Sequence, residues 1–466
     1  MINRLAQQIY YRCPVLLQDI ALNIYGYWQA KRRFGGEFSA ILEGLERSQW
    51  LSPSELEDLQ NRCLQQLIVH AYENVPYYRR IFEERGLKPH DIRTKEDLVK
   101  LPFLTKGLIR KNFRALLAVN IPSSASTPFS TSGSTGQKLK FYTDRRLRWE
   151  YNYATLYRFY RWAGFDAGER RVTIAGRFFT NRPPYWRFNR WENQLLLSTH
   201  HLDSRTVDLY LDQIERFSPE AIQGHPSAVY YLAKRLAEQG RVLPVQTVLT
   251  TGEQLFSDQR ELIEDRFQCR VFDAWGQAEM VAMAGECEKH KGYHVASEYG
   301  IVEVVKNELG RDDLGEIVAT SLQNYSMPFI RYRTGDLGAF ADRSCPCGRG
   351  LPLLGELEGR VDDALLAPDG HIVLPVAFRT SFAKLEYLDQ YQLIQKDRAY
   401  YQMLVLKDRP LTYAERRGIM RVLRYYLGSS AEIEIKSVSQ IPRTPRAKQR
   451  LILREVPITP LRGKRR

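Results

Sequence analysis

A glycine- and hydroxyl-rich stretch at residues 130–136 reads Ser-Thr-Ser-Gly-Ser-Thr-Gly. Backbone amides and hydroxyl groups in such a loop can surround the oxygens of a nucleoside triphosphate. The same composition is typical of solvated turns and linkers, so the stretch alone decides little. The candidate phosphate-binding residues are Ser132, Gly133, Ser134, Thr135, Gly136 and, as an added positive charge, Lys138.

Three later segments strengthen the indication of ATP chemistry. Residues 273–279 read Asp-Ala-Trp-Gly-Gln-Ala-Glu, residues 331–338 read Arg-Tyr-Arg-Thr-Gly-Asp-Leu-Gly, and residues 359–363 read Gly-Arg-Val-Asp-Asp. The carboxylate of Asp336 can accept two hydrogen bonds from a ribose diol, because both of its oxygens are acceptors. An aspartate that follows a glycine in a turn is the alternative interpretation.

In this order, and with the basic segment around Lys448, these stretches resemble the adenylate-forming superfamily and, in more detail, the phenylacetate-CoA ligase family. Residues 70–78 and 101–106 are similar to the helical N-terminal part of that family, and Cys-Pro-Cys-Gly-Arg at residues 345–349 matches it as well. Residues 28–38 look like the branch often associated with capsule polysaccharide clusters. The resemblance covers nearly the whole chain.

The resemblance implies an ATP-dependent enzyme that activates a carboxylate as an acyl-adenylate and releases pyrophosphate. The acyl group then passes to CoA or to another acceptor, in cell-envelope polysaccharide biosynthesis if the capsule branch is the right one. Such a site must neutralise phosphate charge and align the acyl oxygen with the α-phosphorus. Two alternatives stay open: an adenylyltransferase that leaves AMP on an acidic hydroxyl, and a catalytically degenerate scaffold protein.

By the same resemblance, Glu279 is the Mg²⁺ ligand and a catalytic residue, together with Thr135 and Lys448. Mg²⁺ prefers carboxylate and phosphate oxygens, which suits Glu279. Trp275 replaces the more common Tyr and is expected to stack on adenine or to shape the acyl pocket. Lys448 corresponds to the mobile lysine that bridges carboxylate and phosphate, although Ala447 replaces the usual glycine before it.

Further nucleotide contacts follow from the family pattern. Gly252 and Glu253 fall in the adenosine-contacting loop at residues 251–254, and Gly276 follows Trp275 in its motif. Arg360 is expected to reach the ribose or phosphate. Asp362 occupies the position of the hinge about which the small domain rotates between the two half-reactions, and a hinge needs only a few residues to absorb such a change.

Three cysteines and a histidine offer a second kind of site. Cys287, His294, Cys345 and Cys347 provide three thiolates and an imidazole, a ligand set that suits structural Zn²⁺. His290 competes with His294 as the fourth ligand. Buried free thiols are the alternative, because cysteine also behaves as a small apolar residue.

The chain of 466 residues is long enough for two or three domains. Short apolar strands at residues 172–175, 221–223 and 248–251 alternate with helices such as 227–239, which predicts a parallel α/β fold. Strands at 301–305, 315–321 and 329–332 predict a smaller sheet. We therefore expect an α/β protein with a large N-terminal adenylate-forming domain and a small, mobile C-terminal α+β domain. Its predicted parts are a helical segment (1–120), an ATP- and acyl-binding core (121–358) and the small domain (359–466).

Positive charge dominates the composition. The chain has 68 Lys and Arg against 54 Asp and Glu, a formal net charge of +14. This balance favours acidic ligands or surfaces. No nucleic-acid module is recognisable, so the expected partners are a small-molecule carboxylate and an acyl acceptor rather than nucleic acid.

Localisation is predicted from what the sequence lacks. It contains no apolar run of membrane-spanning length and no pattern typical of a secretory signal, which favours the cytoplasm. The aromatic N-terminus and the basic tail at residues 443–466 allow peripheral contact with the inner face of the membrane or with a biosynthetic complex. A packed helical cap is the favoured alternative for the first 35 residues.

Overall fold

The computed structural model describes residues 10–131, 139–176, 183–306, 314–360, 364–373, 375–382, 385, 387–388, 390–407, 409–442 and 451–456. The α-helices in this part of the chain are α1 (Val15–Phe34), α2 (Phe38–Ser48), α3 (Pro53–Asn74), α4 (Pro76–Glu84), α5 (Lys106–Lys111), α6 (Asn152–Trp162), α7 (Val207–Phe217), α8 (Pro226–Glu238), α9 (Ser257–Phe267), α10 (Pro375–Phe382) and α11 (Tyr413–Leu427). Among them, none combines the length and the apolar character needed to cross a bilayer.

The strands are β1 (Ser126–Ser130), β2 (Lys140–Asp144), β3 (Arg171–Ala175), β4 (Trp186–Asn189), β5 (Gln194–Ser198), β6 (Ala221–Gly224), β7 (Thr247–Thr251), β8 (Arg270–Gly276), β9 (Met283–Glu286), β10 (Tyr293–Val295), β11 (Gly300–Lys306), β12 (Gly315–Ser321), β13 (Tyr332–Phe340), β14 (Leu353–Arg360), β15 (Leu365–Leu366), β16 (Ile372–Val373), β17 (Tyr391–Gln395), β18 (Tyr400–Leu406), β19 (Glu432–Val438) and β20 (Ile452–Arg454). Within the described residues, twelve of them form one sheet in the order β11-β12-β13-β14-β10-β9-β8-β7-β6-β3-β5-β4.

One half of this sheet is parallel. The run β8-β7-β6-β3-β5 is parallel throughout, and α8 connects β6 to β7. Strands β3, β6 and β7 are buried along nearly their whole length, as expected for strands covered on both faces. The predicted parallel α/β architecture is confirmed.

The other half is antiparallel. It begins where β9 pairs with β8 and continues through β10, β14, β13 and β12 to β11. The predicted smaller sheet is thus present as an extension of the main sheet rather than as a separate layer. The strand expected at 329–332 begins only at Tyr332, because Arg331 adopts a φ of +52°, outside the extended region.

The N-terminal helices support the strand that carries Asp336. Helix α3 starts in a capping box, in which Ser52 accepts from the Glu55 amide and the Glu55 carboxylate accepts from the Ser52 amide. Downstream, the backbone of Leu104 bonds to Arg331 and Arg333 on either side of Tyr332, at 2.9 and 3.0 Å. The helical segment thereby fixes the start of β13.

Residues from Leu365 onward build a second sheet with its own core. Its strand order is β19-β18-β17-β20, with a parallel pair at each edge and an antiparallel pair in the middle. Buried side chains of this unit, among them Leu393, Tyr401, Met403, Ile419 and Leu423, pack with one another. Helices α10 and α11 accompany this sheet, which agrees with the expected α+β composition.

Candidate functional site

The carboxyl ends of the parallel strands bring several motif residues to one edge of the sheet. Strand β7 ends at Thr251 and lies beside Ala274 of β8, whereas β6 ends at Gly224 beside Thr250. Gly252 and Glu253 therefore follow β7 at the edge where Trp275 and Gly276 end β8. Ligands of open parallel sheets bind outside these carboxyl ends, so this edge is the candidate site.

Trp275 and Asp336, 61 residues apart, are in direct contact there. The indole Nε1–H of Trp275 donates to Asp336 Oδ2 at 3.2 Å, and the amide of Gln277 donates to the same oxygen at 3.4 Å. The backbone amide of Asp336 donates to Thr334 Oγ1 at 3.0 Å. The neutral donors Trp275 and Gln277 thereby orient the Asp336 carboxylate at the carboxyl end of β8.

Glu279 lies in a tight turn just beyond β8. The backbone amide of Met280 donates to the Gln277 carbonyl at 3.0 Å, and Met280 has a φ of +56°. The Glu279 side chain is buried, and its Oε1 accepts a hydrogen bond of 2.7 Å from the Tyr332 hydroxyl. Tyr332 and Asp336 belong to the same strand, β13, so one strand orients both carboxylates of the site.

Two acceptor atoms at this edge lack a donor. Glu253 Oε2 accepts from the Ser227 amide in the first turn of α8 at 3.3 Å. Its Oε1, and likewise Oε1 of Gln277, are buried without a hydrogen-bond partner in the described part of the chain. Burying an acceptor without a donor costs about 1–3 kcal/mol, so these atoms suit a ligand that donates N–H or O–H groups.

Strand β14 brings the start of the C-terminal segment to the same place. The backbone of Arg360 pairs with Asp336 across β13 and β14, and the Gln254 amide donates to the Leu357 carbonyl at 3.3 Å. Gly359 has a φ of +75°, a conformation that favours glycine. The backbone of Arg360 therefore lies beside the backbone of Asp336, and a contact of Arg360 with the ribose or phosphate stays a prediction.

Both ends of the predicted phosphate loop are anchored. Ser130 pairs with Lys140 across the β1–β2 ladder, the Thr131 amide donates to the Leu139 carbonyl at 3.0 Å, and the Leu139 amide donates to Thr131 Oγ1 at 3.1 Å. The following predicted site residues lie outside the described residues: Ser132, Gly133, Ser134, Thr135, Gly136, Lys138, Asp362 and Lys448.

The predicted zinc ligands converge away from this edge. The ligand atoms of Cys287, His294, Cys345 and Cys347 all lie within 4.8 Å of one another, and three of the four side chains are buried. Cys287 and Cys345 Sγ are 3.6 Å apart, and Cys347 Sγ is 3.3 Å from His294 Nε2. In a tetrahedral Zn²⁺ site, two sulfur ligands are about 3.8 Å apart and a sulfur and a nitrogen ligand about 3.6 Å apart, so the observed distances fit such a site.

The surroundings of the cluster agree with a ligand set for a metal. Backbone amides of Lys289 and Arg349 lie 3.5 Å from the sulfurs of Cys287 and Cys347, where they can stabilise thiolate charge. His290 is not part of the cluster: its Nδ1 is 3.6 Å from Glu286, and its ring packs on Phe272. His294 is therefore the histidine that the fold supplies.

This chain is similar to known proteins over nearly its whole length. Residues 365–455 match the CapK C-terminal domain family. Protein CapK of Staphylococcus aureus is 23% identical over 96% of this chain and 99% of its own length, and the phenylacetate-coenzyme A ligase of Thermus thermophilus is 24% identical over 86% and 97%. A 2-hydroxyisobutyryl-CoA ligase structure, in the postadenylation state with R3-HIB-AMP, superposes with a TM-score of 0.67 at 20% identity, covering 88% and 91% of the two chains.

These matches confirm the predicted resemblance to the phenylacetate-CoA ligase family and its capsule-related branch. The structural match also confirms the adenylate-forming fold. Within the motif at 273–279, the sequence predicted Trp275 and Glu279 as site residues, and this assignment stays a prediction. The sequence did not identify Gln277 and Tyr332, whose contacts orient the two site carboxylates. Both residues lie inside the motifs at 273–279 and 331–338, and this position was the only signal in the sequence that could have identified them.

Behind the motif lies a buried network that the sequence did not reveal. The Thr250 hydroxyl and the Tyr293 hydroxyl donate to the two oxygens of Asp273, at 2.6 and 2.9 Å. The Asp273 backbone amide donates to Glu286 Oε2 at 2.8 Å, and both oxygens of Glu286 accept from Arg260 Nη2, at 2.7 and 2.8 Å. This network joins β7, β8, β9, β10 and α9 two residues before Trp275.

The two carboxyl groups of the network have opposite protonation preferences. Burial, followed by the neighbouring charge of Glu286, raises the pKa of Asp273 to about 7. Burial also opposes ionisation of Glu286, but hydrogen bonds from His290 and Arg260 outweigh it and lower its pKa. As the pH rises, Glu286 therefore ionises before Asp273.

The Asp273→Asn substitution tests this assignment. Because folding raises the Asp273 pKa from 3.8 to about 7, the native state binds the extra proton between these values, and its stability falls as pH rises through this window. Asparagine imitates the protonated carboxyl and does not titrate. We expect thermal unfolding of the variant to vary less between pH 4 and 7 than that of the wild type, with Asp342→Asn, an exposed carboxylate, as the control.

An unchanged pH profile in Asp273→Asn would show that Asp273 is ionised throughout this range. A large, pH-independent loss of stability would show instead that the network depends on a charged Asp273.

Proposed function

We propose that the chain is an ATP-dependent carboxylate-activating enzyme. A substrate carboxylate oxygen attacks the α-phosphorus of ATP, the bond to pyrophosphate breaks, and an acyl-adenylate forms. A thiol, CoA by analogy with the ligases it resembles, then attacks the acyl carbon and AMP leaves. The observation that carries the proposal is the contact between Trp275 and Asp336 at the carboxyl edge of the parallel strands.

Asp336 is the proposed ribose ligand. Its carboxylate accepts from the two hydroxyls of the ribose, while Trp275 and Gln277 hold it in orientation. The unpartnered acceptors Glu253 Oε1 and Gln277 Oε1 are suited to the amino group of adenine or to a ribose hydroxyl. A nucleoside therefore satisfies atoms that the protein leaves without donors.

Glu279 is the proposed ligand of the magnesium ion that accompanies ATP. The Tyr332 hydroxyl fixes one oxygen of this buried carboxylate, and Mg²⁺ takes one or two protein carboxylates together with phosphate oxygens. Bound Mg²⁺ supplies positive charge beside the phosphates. Thr135 and the other residues of the loop at 132–138 are proposed to bind the phosphates, and Lys448 to bridge the carboxylate and the α-phosphate.

The second half-reaction requires a different arrangement of the small domain in this proposal. We place the domain boundary near residue 359 and the hinge at Asp362, with residues 359–466 as the moving unit. Gly359 has a positive φ, and strand β14 ends at the next residue, Arg360, which supports a boundary at this point. Arg360 is proposed to contact the ribose or phosphate from the start of the small domain.

A biological role is proposed from the relatives. Similarity to Protein CapK over nearly the whole length, together with the CapK C-terminal domain match, supports a role in cell-envelope polysaccharide biosynthesis. The proposed chemical step does not depend on this biological role: a carboxylate is activated for transfer to an acceptor.

Pyrophosphate release tests the adenylation step. We expect release that depends on Mg-ATP and on one acid within a panel of aromatic, aliphatic and amino acids, with thioester formed when CoA is present. Lys448→Ala should slow release by about two to three orders of magnitude, because it removes a charge that acts only at the transferring phosphate.

Lys436→Ala is the matched control, since Lys436 lies on β19 of the same domain and pairs with Glu434. A product that retains AMP would support adenylyl transfer to a hydroxyl instead. Folded protein that binds no ATP would support the scaffold alternative.

Nucleotide affinity tests the site without knowledge of the acid. Asp336→Ala should weaken AMP and ATP binding by roughly 1–3 kcal/mol through loss of charge-assisted hydrogen bonds, and Trp275→Phe by about 1 kcal/mol through loss of one orienting donor. Glu279→Gln should weaken Mg-ATP but not AMP measured without magnesium. Calorimetric titration checks these values, with Asp342→Ala as the control; unchanged affinity in both Asp336→Ala and Glu279→Gln would remove the assignment.

We also propose that Cys287, His294, Cys345 and Cys347 hold a structural Zn²⁺. The observations that support it are the mutual distances, the burial and the amide hydrogen bonds to sulfur. A closed set of four protein ligands leaves no open position for a reacting group. The proposed ion therefore ties the β13–β14 turn to β9 and β10 and takes no part in the reaction.

Metal analysis of the purified chain tests the zinc proposal. We expect about one zinc per chain in the wild type and near none in Cys345→Ser or Cys347→Ser, together with a lower melting temperature. Cys63→Ser is the control, because Cys63 is outside the cluster. Wild-type protein that contains no zinc after expression with added zinc would contradict the proposal.

A further inference from the structure

Helix α1 is inverted relative to an ordinary surface helix. Its fully buried positions are Gln18, Gly26, Gln29 and Arg33, whereas Leu16, Ile24 and Trp28 are 70, 58 and 53% exposed. A surface helix normally turns its apolar face toward the core and its polar face toward water. Here the polar side packs on the protein and the apolar side faces outward.

Specific hydrogen bonds hold the polar side in place. Gln18 donates to the carbonyls of Tyr10 and Cys13, both at 3.1 Å, and accepts from Arg187. Arg33 forms a 2.5 Å ion pair with buried Glu192. The orientation of the helix is thus fixed by partners that the apolar residues cannot replace.

Close packing and a second anchor fix the middle of α1. A side chain at Gly26 would collide with Asn189 on β4, because its Cβ would lie 2.4 Å from Asn189 Oδ1. Asn23 donates to the Phe188 carbonyl at 3.0 Å and accepts from the Arg190 amide at 2.9 Å. Rotation of the helix to bury its apolar side would break all of these contacts.

The outward residues form one continuous stripe, which we call the apolar face. Spacings of three and four place them on one side of the helix. The members on α1 are Leu16, Leu17, Ile20, Ile24, Tyr27 and Trp28, and Trp191 extends the face through a ring contact of 4.7 Å with Tyr27. An exposed apolar area of this kind marks an interaction surface.

Charge around the apolar face is positive. Lys31 and Arg32 on α1 are exposed, as are Arg12 shortly before the helix and Arg190 next to Trp191 in the sequence, and Lys31 lies over the Trp28 ring at 6.0 Å. The only acidic residue of α1, Asp19, pairs with Arg187 at 3.3 Å. Basic residues beside Leu, Ile, Trp and Tyr are the composition of helices that lie in a membrane interface.

We propose that the apolar face lies on an anionic phospholipid surface, with α1 parallel to the membrane plane. Ile20, Ile24 and Leu17 enter the acyl boundary, Trp28 and Trp191 lie at the headgroups, and Lys31 and Arg32 contact lipid phosphates. The cores of protein interfaces are depleted of lysine, whereas Lys31 lies within this stripe, which favours a membrane over a protein partner. The candidate site at the sheet edge takes no part in this contact.

Vesicle flotation with the full chain tests the proposal. The probes are vesicles of phosphatidylcholine alone and of phosphatidylcholine with 30 mol% phosphatidylglycerol. We expect binding to the anionic vesicles that weakens with salt. Ile20→Gln/Ile24→Gln/Trp28→Gln should reduce the partition coefficient by at least about tenfold, and Lys31→Gln/Arg32→Gln by about fivefold per charge, on anionic vesicles only.

Val99→Gln/Val119→Gln is the matched control, since both side chains are exposed and lie outside the apolar face. Circular dichroism and AMP affinity should be the same in all variants, because the changed side chains are exposed. Equal vesicle binding by the wild type and the triple variant would overturn the proposal. Absence of vesicle binding by the wild type would overturn it as well. This holds if the wild type is a monomer and also if it is a dimer that the triple variant dissociates.

Discussion

The pairing of Asp273 with Glu286 is the constraint on which the rest of the site depends. It lies where β8, the last strand of the parallel half, meets β9, the first strand of the antiparallel half. Burial, followed by the neighbouring charge of Glu286, raises the pKa of Asp273 to about 7, whereas Glu286 is paired with Arg260. Hydrogen bonds from Thr250 and Tyr293 then extend the network to the strands on either side.

The junction of β8 and β9 explains why residues from distant segments of the chain lie together at one edge of the sheet. Because β8 is fixed on both sides, Trp275 at its end has a defined position, and β13 brings Asp336 to it. Strand β13 is itself held by the backbone of Leu104 at its start. The two carboxylates of the site are both contacted by neutral groups: Trp275 and Gln277 donate to Asp336, and Tyr332 donates to Glu279.

The sequence predicted the parts of the fold that are encoded locally. Buried apolar runs located β3, β6 and β7, and the motif at 273–279 located Trp275 and Glu279. The contact between Trp275 and Asp336 was not predictable, since it joins side chains 61 residues apart on β8 and β13, which are not neighbours in the sheet. The start of β13 was misplaced because the positive φ of Arg331 leaves no mark in an apolar pattern. The bond between Tyr293 and Asp273 likewise has no local signal in the sequence.

Helix α1 also shows that the local sequence does not determine which side of an element is buried. Its many Leu, Ile and aromatic residues favoured a packed helical cap, because apolar residues usually face a core. The structure places the polar residues inward instead, and the reason lies in partners that the local sequence does not contain: Arg187, Glu192 and the backbone of β4. A helix held by its polar side keeps its apolar side in water unless another phase covers it. Since the surrounding charge is positive, the phase that we propose for this side is an anionic membrane.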